Sequence, residues 1–208
     1  MSEVCLEACR NHQSGTNLAL DAGCGPGRTA IELCAKFNKV CAYDYSEGFV
    51  ENMRSKALEM AVDNLECRQG DSHVQQEMYP GRKFDLIFGC NLIDRLHSPA
   101  AWVTQSKVLR TRYGERILIL SPQDMLSQTG ILIISSPYTW KPEHTRPESW
   151  IGGLVRDGKE LTTKDGLVEL LGPELELLES VRVPFVIPDS DGTFQYTYSN
   201  ATIFGRRR

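Results

Sequence analysis

Between residues 20 and 27 the chain reads Leu20-Asp21-Ala22-Gly23-Cys24-Gly25-Pro26-Gly27, three glycines at alternate positions directly after a short apolar run. Glycine accepts positive φ and lets a ligand lie against bare backbone. The next residues predict a helix, whose first N–H groups are unpaired and can meet a polar ligand edge. Asp44 closes a second apolar run ~20 residues further on, where a carboxylate can accept hydrogen bonds from both hydroxyls of a ribose. Gly70-Asp71 closes a third, placed for a nucleobase amino group. Together these predict a nucleoside-bearing ligand over the carboxyl ends of parallel strands. If the glycines served sheet packing alone, the two further acidic strand ends would have no role.

The elements needed to position these groups are legible in the hydrophobic spacing. Asn17–Ala22, Lys39–Tyr43, Leu65–Gln69, Phe84–Gly89 and Ile131–Ser135 are short apolar runs of the kind that form buried parallel strands. Ala30, Leu33, Cys34 and Phe37 carry helical spacing over 28–37, and Phe49, Met53, Ala57 and Met60 carry it behind the N-cap Ser46. Ser98 before Pro99 starts another helix. This alternation predicts an α/β, Rossmann-like fold with a mostly parallel seven-stranded sheet and helices on both faces. Thr162–Leu171 reads as a short helix. Leu175–Val186 and Phe194–Phe204, joined by a turn at Asp189-Ser190-Asp191-Gly192, read as a C-terminal antiparallel pair. Residues 1–16 are expected to be an arm or short helix before a single domain over 17–208, and residues 138–158, rich in Pro, Trp and Gly, a loop or lid over the substrate.

Two cofactor classes use such a loop. A dinucleotide fingerprint has the form G-x-G-x-x-G/A, and Arg28 stands where its third small residue belongs. The tighter spacing, with Asp21 before it and Gly27 closing it, resembles the first motif of class I S-adenosylmethionine (SAM) methyltransferases, in which the loop meets the methionine half of SAM. The cofactor-binding candidates are therefore Asp21, Gly23, Cys24, Gly25, Gly27, Asp44, Tyr45, Gly70, Asp71, Ser72 and Cys90. A nicotinamide-binding module is the weaker alternative.

The substrate side is read from the residues just beyond the fourth and fifth strands. Asn91 is either a turn cap or a contact to cofactor or acceptor. Asp94-Arg95 is either a surface ion pair, worth little, or a site in which Arg95 clamps a substrate carboxylate. Trp140 and Trp150, with Tyr138, either form a satellite core or wall an acceptor pocket, and Phe194-Gln195-Tyr196 could add a further wall. No N-P-P-Y or D-P-P-Y run comes after the fourth strand, which argues against methylation of nucleic-acid bases.

Asn91-Leu92-Ile93-Asp94-Arg95-Leu96, Ser136-Pro137-Tyr138-Thr139-Trp140, Trp150-Ile151-Gly152-Gly153, Pro184-Phe185-Val186-Ile187 and Phe194-Gln195-Tyr196 recur in one order. In that order they resemble the C-terminal methyltransferase domain of the ovothiol-biosynthesis enzymes, from about Asn17 to Arg206. The resemblance implies methyl transfer from SAM to an imidazole nitrogen of 5-mercaptohistidine, giving ovothiol A. From their clustering at predicted strand ends, Asn91, Arg95 and Tyr138 are expected to be catalytic positioning groups and Asp94, Trp140, Trp150, Phe194 and Gln195 substrate contacts. The resemblance also implies an iron-dependent sulfoxide synthase as a possible separate component. Two departures stand out. The family has more helix before the first strand, and residues 106–121 look like an insertion in which Arg116–Pro122 mimics Gly130–Pro137. The copy before Tyr138 is expected to be the fifth strand.

Composition narrows the alternatives. With 208 residues, 41% hydrophobic and 24% charged, the chain suits a folded domain. A net charge of −4 weakens any nucleic-acid reading, and Arg206-Arg207-Arg208 is expected to be a solvated end. The apolar runs Ile117–Leu120 and Ile131–Ile134 are far too short for a membrane span. The opening residues do not resemble a secretory leader, and seven dispersed cysteines without C-x-x-C suggest reduced thiols, so a cytoplasmic location and no metal are expected. Near pH 7 a neutral imidazole already carries a lone pair, so the site needs alignment and water exclusion more than a strong base. The rivals are a SAM methyltransferase for another small amine, thiol or carboxylate, and a SAM-binding protein without catalysis.

Overall fold

The computed structural model describes residues 1–208 except 73–74, 105–106, 111–115, 120, 157, 189–191 and 208. Its strands are β1 (Leu18–Ala22), β2 (Lys39–Asp44), β3 (Leu65–Gln69), β4 (Phe84–Cys90), β5 (Lys107–Arg110), β6 (Arg116–Ile119), β7 (Leu126–Ser136), β8 (Leu154–Arg156), β9 (Lys159–Leu161), β10 (Leu175–Pro188) and β11 (Phe194–Arg206). Its α-helices are α1 (Ser2–Asn11), α2 (Arg28–Leu33), α3 (Glu47–Glu59), α4 (Gln75–Met78), α5 (Pro99–Thr104), α6 (Pro122–Met125) and α7 (Thr163–Leu171).

Seven strands form one sheet in the order β10-β11-β7-β4-β1-β2-β3. The pairs β1–β2, β2–β3, β1–β4 and β4–β7 are parallel, and β7–β11 and β11–β10 are antiparallel. The chain leaves β1 toward β2 and later returns to β4 on the other side. The carboxyl ends of β1 and β4 therefore flank the point where strand order reverses, and a crevice opens there.

One core layer packs Leu20, Tyr43, Phe84, Ile87, Trp102, Leu132 and Phe204 on the α5–α7 face; the other packs Ala19, Leu33, Val40, Met53, Leu86, Phe88 and Ile133 on the α1–α2–α3 face. The first residues are not a loose arm, because Cys5, Ala8 and Cys9 of α1 are buried in the second layer. Local signals start the helices. Ser46 accepts a hydrogen bond from Phe49 N, and Thr162 and Asp165 form a reciprocal capping box at α7.

Polar residues inside this frame act as ties. Asp85, on the otherwise apolar β4, accepts from Asn17 N at 2.8 Å and from Ser127 Oγ at 2.8 Å, joining the starts of β1 and β7. At the other edge Glu66 holds Lys39 Nζ at 2.7 Å, Arg68 Nη2 at 2.8 Å and Arg82 Nη1 at 2.8 Å. Partial burial opposes ionisation of Glu66, but the donors from Lys39, Arg82 and Arg68 prevail and bring its pKa down to about 2. Arg206 is not a solvated end either. It lies on β11 and donates to the carbonyls of Ser127, Gln123 and Leu126.

The fifth parallel strand is the one before Tyr138. It begins at Leu126 instead of Ile131, since the chain turns through α6 and pairs at once with Phe84. The competing copy at Arg116–Ile119 pairs with Lys107–Arg110 in a separate two-stranded sheet. Apart from Gly192, the turn expected between the last two strands lies outside the described residues.

Candidate active site

A cavity of about 840 Å³ occupies the crevice, inside the roughly 300–1,000 Å³ range of small-molecule sites. Its floor is the turn after β1. Gly23, Gly25 and Gly27 have φ of 66°, 52° and 78°, all in the left-handed region that favours glycine. At Gly25 an added Cβ would meet nothing within 4 Å, so bare backbone faces the open cavity. Gly27 instead ends the turn as N-cap of α2 and packs on Met53.

Asp44 braces this turn. Its Oδ2 accepts from Gly25 N at 2.8 Å and its Oδ1 from Ser46 N at 2.9 Å, tying the glycine turn to the start of α3. Asp21 sits below, 3% exposed; burial, with the charge of Asp44 second, pushes its carboxyl well above the usual range. Two thiols also line the space. Burial raises Cys90 to about 11, and burial with nearby Asp21 raises Cys24 further.

Of the cofactor candidates, Asp21, Gly23, Cys24, Gly25, Asp44, Tyr45, Asp71, Ser72 and Cys90 line the cavity. Gly27 and Gly70 do not. Gly70 closes the end of β3 against Met78, and its N–H donates to Asp44 O. Asn91 and Arg95 line the cavity as well. Asn91 has φ 54° and a buried Oδ1 without a hydrogen-bond partner, a strained and unsatisfied residue on the cavity wall.

The remaining candidates lie elsewhere. Tyr138 donates to or accepts from Thr202 Oγ1 at 3.0 Å, and burial raises its phenol to about 12. Asp94 is 1% exposed and takes a hydrogen bond from Thr139 Oγ1 at 3.4 Å, whereas Arg95 is exposed at the cavity rim, so the two are not a surface pair. Trp140 and Trp150 stack with ring centroids 6.3 Å apart, and their indole N–H groups donate to Thr163 Oγ1 and Thr145 O. Both rings are half-buried, and neither lines the cavity. Phe194 is 58% exposed on the β10–β11 ribbon, and the Gln195 side chain lies outside the described part of the structure.

The sequence reading missed Arg28, Thr29, Phe49, Leu92, Leu96 and His97, all cavity-lining. His97 carried a usable signal, a histidine in the loop after the fourth strand. Phe49 reads as a core position on a helix but is 47% exposed at the rim.

A seven-stranded sheet of this order, with a glycine turn under a nucleoside-sized cavity, is the architecture of class I SAM-dependent methyltransferases. The chain belongs to the methyltransferase-domain family, which it matches over residues 13–165. No curated protein matches it. Among solved structures it is similar to a SAM-dependent methyltransferase from Clostridium acetobutylicum ATCC 824, at 16% identity and TM-score 0.65 over 100% of this chain and 91% of that one. It is also similar to magnesium protoporphyrin IX methyltransferase from Synechocystis PCC 6803 with bound SAM, at 16% identity and TM-score 0.60 over 99% and 77%. A third is a TehB-like SAM-dependent methyltransferase from Corynebacterium glutamicum ATCC 13032, at 17% identity and TM-score 0.55 over 97% and 86%. This protein is a SAM-dependent methyltransferase of class I type.

The residues present fit SAM. Open backbone at Gly25 admits a ligand at the glycine turn, and the carboxyl groups of Asp44 and Asp71 line the space around it. With Arg28 and Arg95 on the same lining, the cavity offers partners of both signs, as the sulfonium, ammonium and carboxylate of SAM require. Among the described residues no helix is long and apolar enough to cross a membrane.

Proposed function

We propose that the chain transfers the methyl group of SAM to an imidazole nitrogen of 5-mercaptohistidine, giving ovothiol A. The observation that carries this reading is the run of segments from Asn91 to Tyr196 that resembles the ovothiol methyltransferase domain. The structure supports treating most of them as one unit. Thr139 bonds Asp94, Thr145 bonds Leu96 O, Trp140 stacks on Trp150, and Gly152 packs against Thr163. These segments brace the loop after β4, which carries Asn91, Arg95 and His97 to the cavity.

SAM, when bound, supplies a methyl group on a sulfonium, displaceable by a lone pair in line with the breaking bond. Gly23, Gly25 and Asp44 hold and orient it. Asn91, with its free Oδ1, and Arg95 offer polar contacts on the cavity wall to cofactor or acceptor. Tyr138 acts at one remove, by fixing the end of β7 through Thr202. Neutral imidazole needs no prior deprotonation, so alignment matters more than a strong base. A separate sulfoxide-synthase chain would supply the mercaptohistidine. The test is incubation with methyl-labelled SAM and 5-mercaptohistidine, with histidine and histamine as controls. Label on the ring nitrogen is expected. Label on none of the three, with turnover on another amine, thiol or carboxylate, would replace this acceptor.

A further inference from the structure

A second chamber, of about 340 Å³, adjoins the main cavity. Arg28, Thr29 and Cys90 line both, so the two are neighbours at the start of α2 and the end of β4. The far wall is the ribbon of β10 and β11, with Val183 and Pro184 on one strand and Ser199, directly opposite Val183, on the other. Ser199 is 1% exposed and its Oγ has no hydrogen-bond partner. Native structures seldom leave a buried hydroxyl unsatisfied, and a ligand group that reached it would remove the penalty.

Charge gathers at the edge of the chamber. Arg28 Nε donates to Glu32 Oε1 at 3.2 Å, and Ser2 Oγ donates to Glu32 Oε2 at 2.5 Å. The Arg28 side chain is 88% exposed and Glu32 45%, so both ions are free to exchange partners with a guest. Sheet order separates the two ends of the combined space. Asp44 and Asp71 come after β2 and β3, whereas this chamber lies beyond β4 on the ribbon side.

We infer that this chamber is the acceptor subsite and that it takes a small zwitterion. The body of the guest lies against Val183 and Pro184, a polar edge meets Ser199 Oγ, and its ammonium and carboxylate engage Glu32 and Arg28. The inference rests on the proposed methylation of a small acceptor but not on the identity of the ring. It moves the acceptor wall to the α1–α2 face of the sheet, away from Trp140 and Trp150.

The test is amide NMR on the protein saturated with S-adenosylhomocysteine and titrated with 5-mercaptohistidine, histidine and histamine. Shifts at Cys90, Val183 and Ser199 are expected with both amino acids, and roughly tenfold weaker binding with histamine, which lacks the carboxylate. Ser199→Ala should weaken binding of the amino acids about five- to tenfold. Val183→Trp should abolish it while S-adenosylhomocysteine affinity stays within about twofold of wild type. Shifts confined to Arg95 and His97, no shifts at all, or normal binding to Val183→Trp would overturn the inference. Binding at Val183 and Ser199 without methylation of 5-mercaptohistidine would support the chamber and refute the proposed acceptor.

Discussion

Two glycines in one turn should fail in opposite ways when each is changed to alanine. Both have positive φ, +52° at Gly25 and +78° at Gly27, and a left-handed alanine costs roughly 1–2 kcal/mol. At Gly27 the new methyl would also overlap Met53 Cγ and Sδ and sit 2.9 Å from its Cβ. Met53 is fully buried and cannot swing into solvent. Overpacking of that kind adds about 1–3 kcal/mol, so Gly27→Ala should lose about 2–5 kcal/mol, or roughly 5–15 °C in Tm for a chain of this size. At Gly25 the methyl meets no protein atom within 4 Å and projects into the cavity. Gly25→Ala should therefore lose only about 1–2 kcal/mol of stability while weakening S-adenosylhomocysteine binding at least ~10-fold. Differential scanning calorimetry and isothermal titration calorimetry on the same preparations separate the two effects. Wild-type affinity in Gly25→Ala would refute the placement of the cofactor against this turn. Equal loss of Tm in both variants would refute the packing argument.

Three further outcomes are expected. Asp44→Asn keeps the shape but can satisfy only one of the two N–H donors from Gly25 and Ser46, and should raise the S-adenosylhomocysteine Kd by about 10–100-fold in calorimetry. Asp85→Ala removes the acceptor shared by Asn17 N and Ser127 Oγ, which water can partly replace because Asn17 is exposed and Ser127 half-buried, and should cost about 1–2 kcal/mol in urea unfolding with m unchanged. For Glu66, the folded pKa of about 2 lies below the ordinary 4.5. Its contribution is complete above pH 4.5 and is lost as pH falls toward 2; half-exposed partners reduce it to about 1–2 kcal/mol. Glu66→Gln should flatten the acid limb of the stability curve in that window, and an unchanged limb would show that the cluster contributes nothing to acid stability.

The range of the forces involved decides which features the sequence reveals and which it conceals. The turn after β1 was legible because positive φ restricts residue choice locally, and Asp44 because a strand end fixes its place relative to that turn. Asp85 was not, because an acid inside an apolar run gives no sign of the Asn17 and Ser127 groups it serves, far away in sequence. Trp140, Trp150 and Tyr138 left both readings open: aromatic side chains gain as much by burial against α7 and β11 as by walling a pocket. The unpaired hydroxyl of Ser199 depends on the β10–β11 ribbon meeting the end of β4, which periodicity does not encode. Arg206 likewise reads as the start of a basic tail until β11 brings it to the carbonyls around α6.

The state of Cys24 and Cys90 bears on how long such an enzyme survives its own reagent. A sulfonium alkylates sulfur readily, yet the attacking species is thiolate and not thiol. With Cys90 raised to about 11, only about one molecule in ten thousand carries that anion at pH 7, and Cys24 is suppressed further. The partial burial that raises both thiols thereby slows self-alkylation of the catalyst, even though each borders the cavity.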